Sequence, residues 1–229
     1  MTQLTPFSDP DEVLLSIKSL VDRIHLGLHQ LLPLTREWFD KQGLPVDKAC
    51  HAMMTRFRLK HRLLAQQIEA EDEEELDDFS VEGASNCGLV IRGASCTLRL
   101  LKWRNGELPP SASKQRRDFY QFNLFAFETN DPFPDAPIPP LNLVAAWETN
   151  EYHELRSLAI VCPWGENQGR VQNKWMKTLD PAVVAPVPLL GKFPPEPQLD
   201  EITLKEPADF RSSGKLGVDR ADDKIDGAS

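Results

Sequence analysis

Paired histidines, clustered carboxylates and thiols are the side chains of this sequence with the widest chemical reach, and their spacing decides how far each can be taken. His25 and His29 stand four apart, so on a helix they share a face. Zinc peptidases use that spacing with a glutamate directly after the first histidine. Here Leu26 holds that place and no third ligand follows, so the pair reads as two histidines on the polar flank of an amphipathic helix. Cys50, Cys87, Cys96 and Cys162 are widely separated, and none forms the Cys-x-x-Cys pair of zinc fingers and ribbons. They read as reduced thiols, with Cys87 and Cys96 on the two arms of a predicted hairpin. The densest grouping is Glu148, Glu151, His153 and Glu154, beside Trp147 and Tyr152. Carboxylates with a histidine can perform acid–base work or hold a divalent metal, as in a hydrolase. The Glu-x-Lys pattern of metal-dependent nucleases is broken by Asn150, and a hairpin tip is a poor place to hold two groups rigidly, so a plain turn is the competing reading. There is no Gly-x-Ser-x-Gly, no phosphate loop and no Gly-x-Gly-x-x-Gly turn. No catalytic set is complete, and no metal or cofactor is expected.

The most distinctive stretch runs from Leu98 to Asn123, LRLLKWRNGELPPSASKQRRDFYQFN. It combines Lys102, Trp103 and Arg104 with Lys114, Arg116, Arg117 and Tyr120. Three readings compete. The rings can be inward residues with the bases on the wet face. The same residues can dock a partner protein, since arginine and aromatics favour interfaces. Or the bases can hold phosphates while the rings stack on nucleic-acid bases.

Within this stretch, Leu101-Lys102, Gly106-Glu107-Leu108-Pro109, Ser111 to Ser113, Arg116-Arg117 and Phe119-Tyr120 resemble a group of uncharacterised bacterial proteins, often actinobacterial. Such proteins are encoded beside helix-turn-helix regulators of the Xre type. The sequence departs from them at Lys114 and at Asn123-Leu124. The resemblance implies a role near a regulator, a toxin–antitoxin pair or a defence module, and it carries over no catalytic residue.

The elements that position these groups follow from periodicity. Val13, Leu14, Ile17, Leu20, Val21, Ile24, Leu28, Leu31 and Leu32 recur at intervals of three and four, predicting an amphipathic helix. Ser8 or Asp9 is its cap, Pro10 suits its first turn, and Pro33 marks a break or kink before a short continuation through Trp38 and Phe39. A second helix is predicted from about Asp47 to about Ala70, with Ala49, Ala52, Met53, Phe57, Leu63, Leu64 and Ile68 buried. Cys87 to Arg92 and Ser95 to Trp103 read as a hairpin, turning at Gly93 through positive φ. Ser111 to Arg117 begins one basic helical turn, and Phe119 to Phe127 reads as an aromatic strand. Pro132 to Pro140 holds five prolines in nine residues and reads as an extended loop. Leu141 to Glu148 and Leu155 to Cys162 are two further strands.

The expected fold is α+β: residues 1–70 an antiparallel helix pair, 71–80 an acidic linker or helix end, and 81–180 a four- to five-stranded antiparallel meander completing one domain. Residues 181–229 form a proline- and charge-rich tail, with Val183 to Leu190 docking as an extended strand and disorder expected beyond Gly191.

The net charge of −9 is concentrated between Glu69 and Asp78, which hold eight acids and no base; without them the chain stands at −1. That run reads as a solvated helix end, with a divalent-cation site or a mimic of a phosphate backbone as the sharper alternatives. Basic groups lie on either side of it, so nucleic acid is not excluded by charge. No apolar run reaches the roughly 18 residues a membrane helix needs. Met1 to Pro10 lacks the basic-then-apolar pattern of a secretory leader, which points to the cytoplasm. The expected function is a non-enzymatic interaction or regulatory module with a protein partner. Nucleic-acid binding or processing is the second reading and a divalent-metal hydrolase the third. Oligomeric state is not legible.

Overall fold

The computed structural model describes residues 4–69, 79–84, 88–103, 106–128 and 139–179. Glu71 to Asp78, Cys87, Arg104, the body of the proline-rich loop and the expected tail lie outside them. Within them the protein is α+β, with four helices and one six-stranded sheet.

The N-terminal part holds three helices rather than a pair. Helix α1, Pro10–Ser16, is capped by the Asp9 carboxylate, which accepts from Asp11 N at 2.9 Å, with Pro10 in the first turn. The periodic stripe then crosses an interruption. Ser16 Oγ donates to Val13 O at 2.7 Å, and Ile17 leaves helical geometry at φ −114°, ψ 15°. The chain restarts as α2, Lys18–Lys41. Pro33 does not end it. The proline sits on the exposed side, where water can serve the carbonyl it leaves without a donor, and burial of Leu31, Leu32, Thr35 and Phe39 holds the backbone on course. Helix α3, Lys48–Glu69, begins at Asp47, whose carboxylate accepts from Ala49 N at 2.9 Å and Cys50 N at 2.7 Å. Its buried row is His51, Ala52, Thr55, Leu59 and Leu63, whereas Met53 and Phe57 are exposed. α2 and α3 pack closely at Gly27, where a Cβ would collide with Leu59 Cδ1, so that position admits only glycine without a shift of the leucine.

The strands are β1 Phe79–Ala84, β2 Gly88–Gly93, β3 Cys96–Lys102, β4 Leu141–Thr149, β5 Leu155–Asn167 and β6 Arg170–Leu179. They lie in sequence order across the sheet. Every neighbouring pair is antiparallel except β3 and β4, which run parallel. A meander of short hairpins is therefore excluded at that point, because parallel neighbours need a crossover. The crossover carries α4, Lys114–Glu128, whose first turn is the expected basic one and which continues as helix through Phe119 to Phe127, where an aromatic strand was expected. Ser113 caps it, and Phe119, Tyr120, Asn123 and Phe127 recur at helical spacing toward the sheet. The β2–β3 hairpin is present, but Gly93 is still strand and does not adopt positive φ. β5 and β6 join through Gln168 at φ 50° and Gly169 at φ 75°, the two positive values a tight hairpin turn requires.

The sheet is covered on both faces. Leu98, Leu100, Leu143, Ala145, Trp147, Leu158 and Ile160 pack with α1, α2 and α3. Leu101, Trp103, Val144, Ala146, Ala159 and Val161 pack with Tyr120 of α4. Strand β4 is consequently buried from Leu141 to Trp147 without alternation, as a strand covered on both sides must be. Asn123 pins α4 in place. It is fully buried, its Nδ2 donates to Asn142 O at 2.7 Å and Pro163 O at 2.9 Å, and its Oδ1 accepts from Asn142 N at 2.9 Å. The Pro163 carbonyl lies where β5 and β6 shift register, so Asn123 serves a backbone group that the ladder leaves over.

Candidate functional site

Strand alternation divides the basic–aromatic stretch. Lys102 faces the side of α1–α3, with Nζ over the Trp147 ring at 5.1 Å from its centroid. Trp103 and Tyr120 are buried on the α4 side, where the tyrosine hydroxyl donates to Pro109 O at 3.0 Å. Lys114 and Arg117 are exposed on α4. Arg116 is half-buried, its Nη1 donating to Pro110 O at 3.2 Å. Arg104 lies outside the described residues.

On the α1–α3 side, Lys102 meets residues drawn from two other parts of the chain. The β4–β5 turn is organised by Asn150, whose Oδ1 accepts from Tyr152 N and Glu154 N, both at 2.9 Å, while its Nδ2 donates to Glu154 Oε2 at 2.9 Å. The residue that weakens the nuclease pattern is thus the one that shapes the turn. Arg36 of α2 braces it from outside, donating Nη1 to Tyr152 O at 2.8 Å. His153 sits at φ 63°, a left-handed conformation that an L side chain rarely adopts, held by the bonds on either side of it. This conformation accompanies a ring contact with His51, the two centroids 4.7 Å apart and tilted by 45°.

His51 is fully buried in the first turns of α3 and bonds Leu32 O through Nε2 at 3.2 Å. That bond makes Nε2 the protonated nitrogen and leaves Nδ1 as the acceptor. Nδ1 of His51 and Nδ1 of His153 are both buried without a partner. Burial pushes the His51 imidazole down to about 4, helped by His153, Lys102 and Arg36 and opposed by the Leu32 carbonyl. Burial also lowers His153, followed by Lys102, Arg36 and Lys48, with Asp40 acting the other way. Both rings are neutral near pH 7, in a positive field from Lys102, Arg36 and Lys48 that the Asp40 carboxylate opposes.

The acids expected to act with His153 are placed otherwise. Glu154 is bound to Asn150, Glu151 is exposed, and Glu148 is half-buried on β4. The carboxylate that acts on His153 is Asp40 of α2. Among the described residues no group of three or more histidines, cysteines or acids is placed to share a metal ion. His25 and His29 do stack, at 5.0 Å between centroids, away from this cluster on α2. His51 is the residue that sequence reasoning missed. Its signal was the row His51, Thr55, Leu59, Leu63 at four-residue steps, which the larger apolar residues Met53 and Phe57 obscured. No protein-family model matches the chain, and no match is found among curated proteins or solved structures.

Proposed function

We propose that the protein is a non-enzymatic interaction module that takes an acidic segment of a partner protein at the end of the sheet where Lys102, Arg36 and Lys48 surround the His51–His153 pair. The observation that carries this reading is the ring pair itself. Two neutral imidazoles with buried, unmatched Nδ1 atoms sit in a positive field, so a carboxylate arriving there meets cations directly and can draw protons onto the rings. The crevice beyond the carboxyl ends of neighbouring parallel strands is also a recurrent place for ligands in α/β sheets. The resemblance around Leu101 to Tyr120 supplies the first partners to try, a helix-turn-helix regulator or a toxin encoded nearby.

The test is co-elution of the full chain with the products of neighbouring genes, followed by titration of the partner against K102E and K48E. Each charge reversal should weaken binding by about tenfold or more, because each sets like charges against each other. Affinity unchanged in both variants removes the proposal. Nucleic acid is the alternative outcome. Salt-sensitive binding to an oligonucleotide that is lost in the Lys114→Ala, Arg117→Ala double variant and kept in K102E would replace the protein reading. The separation of Lys102 from α4 by the thickness of the sheet supports the protein partner, since the bases do not form one strip.

A further inference from the structure

On the α4 face a second cationic site is built from groups that no ion pair among the described residues neutralises. Arg99 lies in β3, between Thr97 and Leu101 on the same face, and is only 5% exposed. Its guanidinium stands over the Phe119 ring at 5.7 Å. That contact uses the flat face of the group and leaves the N–H donors of its edge still to be satisfied. Arg99 Nε is buried without a partner, and so are Arg116 Nε and Trp103 Nε1. Arg116 and Phe119 occupy one side of the first turns of α4, and Trp103 and Tyr120 share the core cluster beneath. Arg99 and Arg116 act on each other and both act on Tyr120, so the two positive groups and the phenol form one neighbourhood.

Arg56 of α3 adds a third positive charge acting on Arg99. Tyr120 is pushed up to about 12 by burial, so it is neutral near pH 7. Glu166 of β5 is the nearby acid, and it is engaged by Ser111 through both Oγ and N. None of the ion pairs among the described residues involves Arg99 or Arg116. Two arginines that repel each other, one of them almost wholly withdrawn from water, are stabilised best by an anion that bridges them.

We infer that strand β3 and the start of α4 together bind a compact oxyanion of the phosphate or sulfate type, held between Arg99 and Arg116 with the Trp103 indole N–H as a further donor. The half-exposed Arg116 gives the way in, and the first turn of α4 contributes the positive end of its dipole. Phe119 keeps the Arg99 fork in orientation. This site is independent of the proposed docking end, which lies on the other face of the sheet.

The experiment uses the full chain and inorganic phosphate or sulfate as probes, with chloride at equal ionic strength as the control. Calorimetric titration should show one saturable site, and either probe should raise Tm above the chloride control, since a ligand bound only to the native state stabilises it. R99M and R116M should each weaken binding by about tenfold or more. K114M and R117M, exposed on the same helix, should change it by no more than about twofold. K102E should bind phosphate as the unaltered protein does, which separates failure here from failure of the partner reading. Phosphate and sulfate that raise Tm no more than chloride overturn the inference. So does binding that survives intact in R99M and R116M, or that falls equally in K114M. Methionine at position 99 keeps the buried volume without the charge; should that variant fail to fold, R116M and the Tm comparison on the unaltered protein decide the matter.

Discussion

His51 enters the folded protein as a base that has lost its solvent. Its folded-state pKa is about 4 against 6.5 for the free side chain, so the unfolded chain takes up a proton that the folded chain refuses. Stability tied to this residue is complete above pH 6.5 and drains away as pH falls from 6.5 toward 4, by roughly 3 kcal/mol in all. His153 is shifted in the same sense and steepens the same window. Urea unfolding at pH 7.5 and at pH 4.5 should therefore show a smaller loss for His51→Gln than for the unaltered chain; equal losses would assign the pH dependence elsewhere. The sequence marked His153 and Lys102 as chemically capable, each for a different reason, and nothing in their numbering said that they meet. Contact between residues 51 and 153 is a product of how α3 lies against the β4–β5 turn, and no local spacing encodes it.

Helix α4 shows how an element can be read with the wrong period. Phe119, Tyr120, Phe122, Phe125 and Phe127 satisfy a strand pattern nearly as well as a helical one, and aromatic residues favour strands. Tertiary burial settled it, because α4 must cross from β3 to β4 and cover Val144, Ala146 and Val161 on the way. Asn123 is the residue that fastens this crossing. Asn123→Ala removes its three hydrogen bonds to the backbone and leaves buried groups of Asn142 and Pro163 unmatched, a loss of about 2–4 kcal/mol. Equilibrium unfolding measures it, and Asn123→Asp should be no milder, since the lost Nδ2 served two of the three bonds. The strands β2, β3, β4 and β5 were legible because their apolar runs are bounded by turn residues. β1 and β6 were not, since β6 is half exposed along its length and β1 follows an acidic run that gives it no apolar frame.

Across the whole molecule, helices on both faces leave the sheet's vulnerability at its rims. β1 and β6 are the outer strands among the described residues. β6 carries Lys174 and Lys177, and both are tied back to the N-terminal segment. Lys174 Nζ lies 4.4 Å from the Phe7 ring centroid and 4.8 Å from that of Trp164, and Lys177 pairs with Asp11 Oδ2 at 3.0 Å. Such lysines discourage edge-to-edge pairing between copies. Replacing both with valine should make the mean mass seen by light scattering climb with concentration more steeply than for the unaltered chain; identical profiles would mean that the edge is guarded by something else.

Strand β3 holds Lys102 and Trp103 one peptide apart and on opposite sides of a wall. A slip of one residue in the pairing of β3 would turn both side chains to the wrong faces at once, so the register held by β2 and β4 is what keeps two separate sites apart.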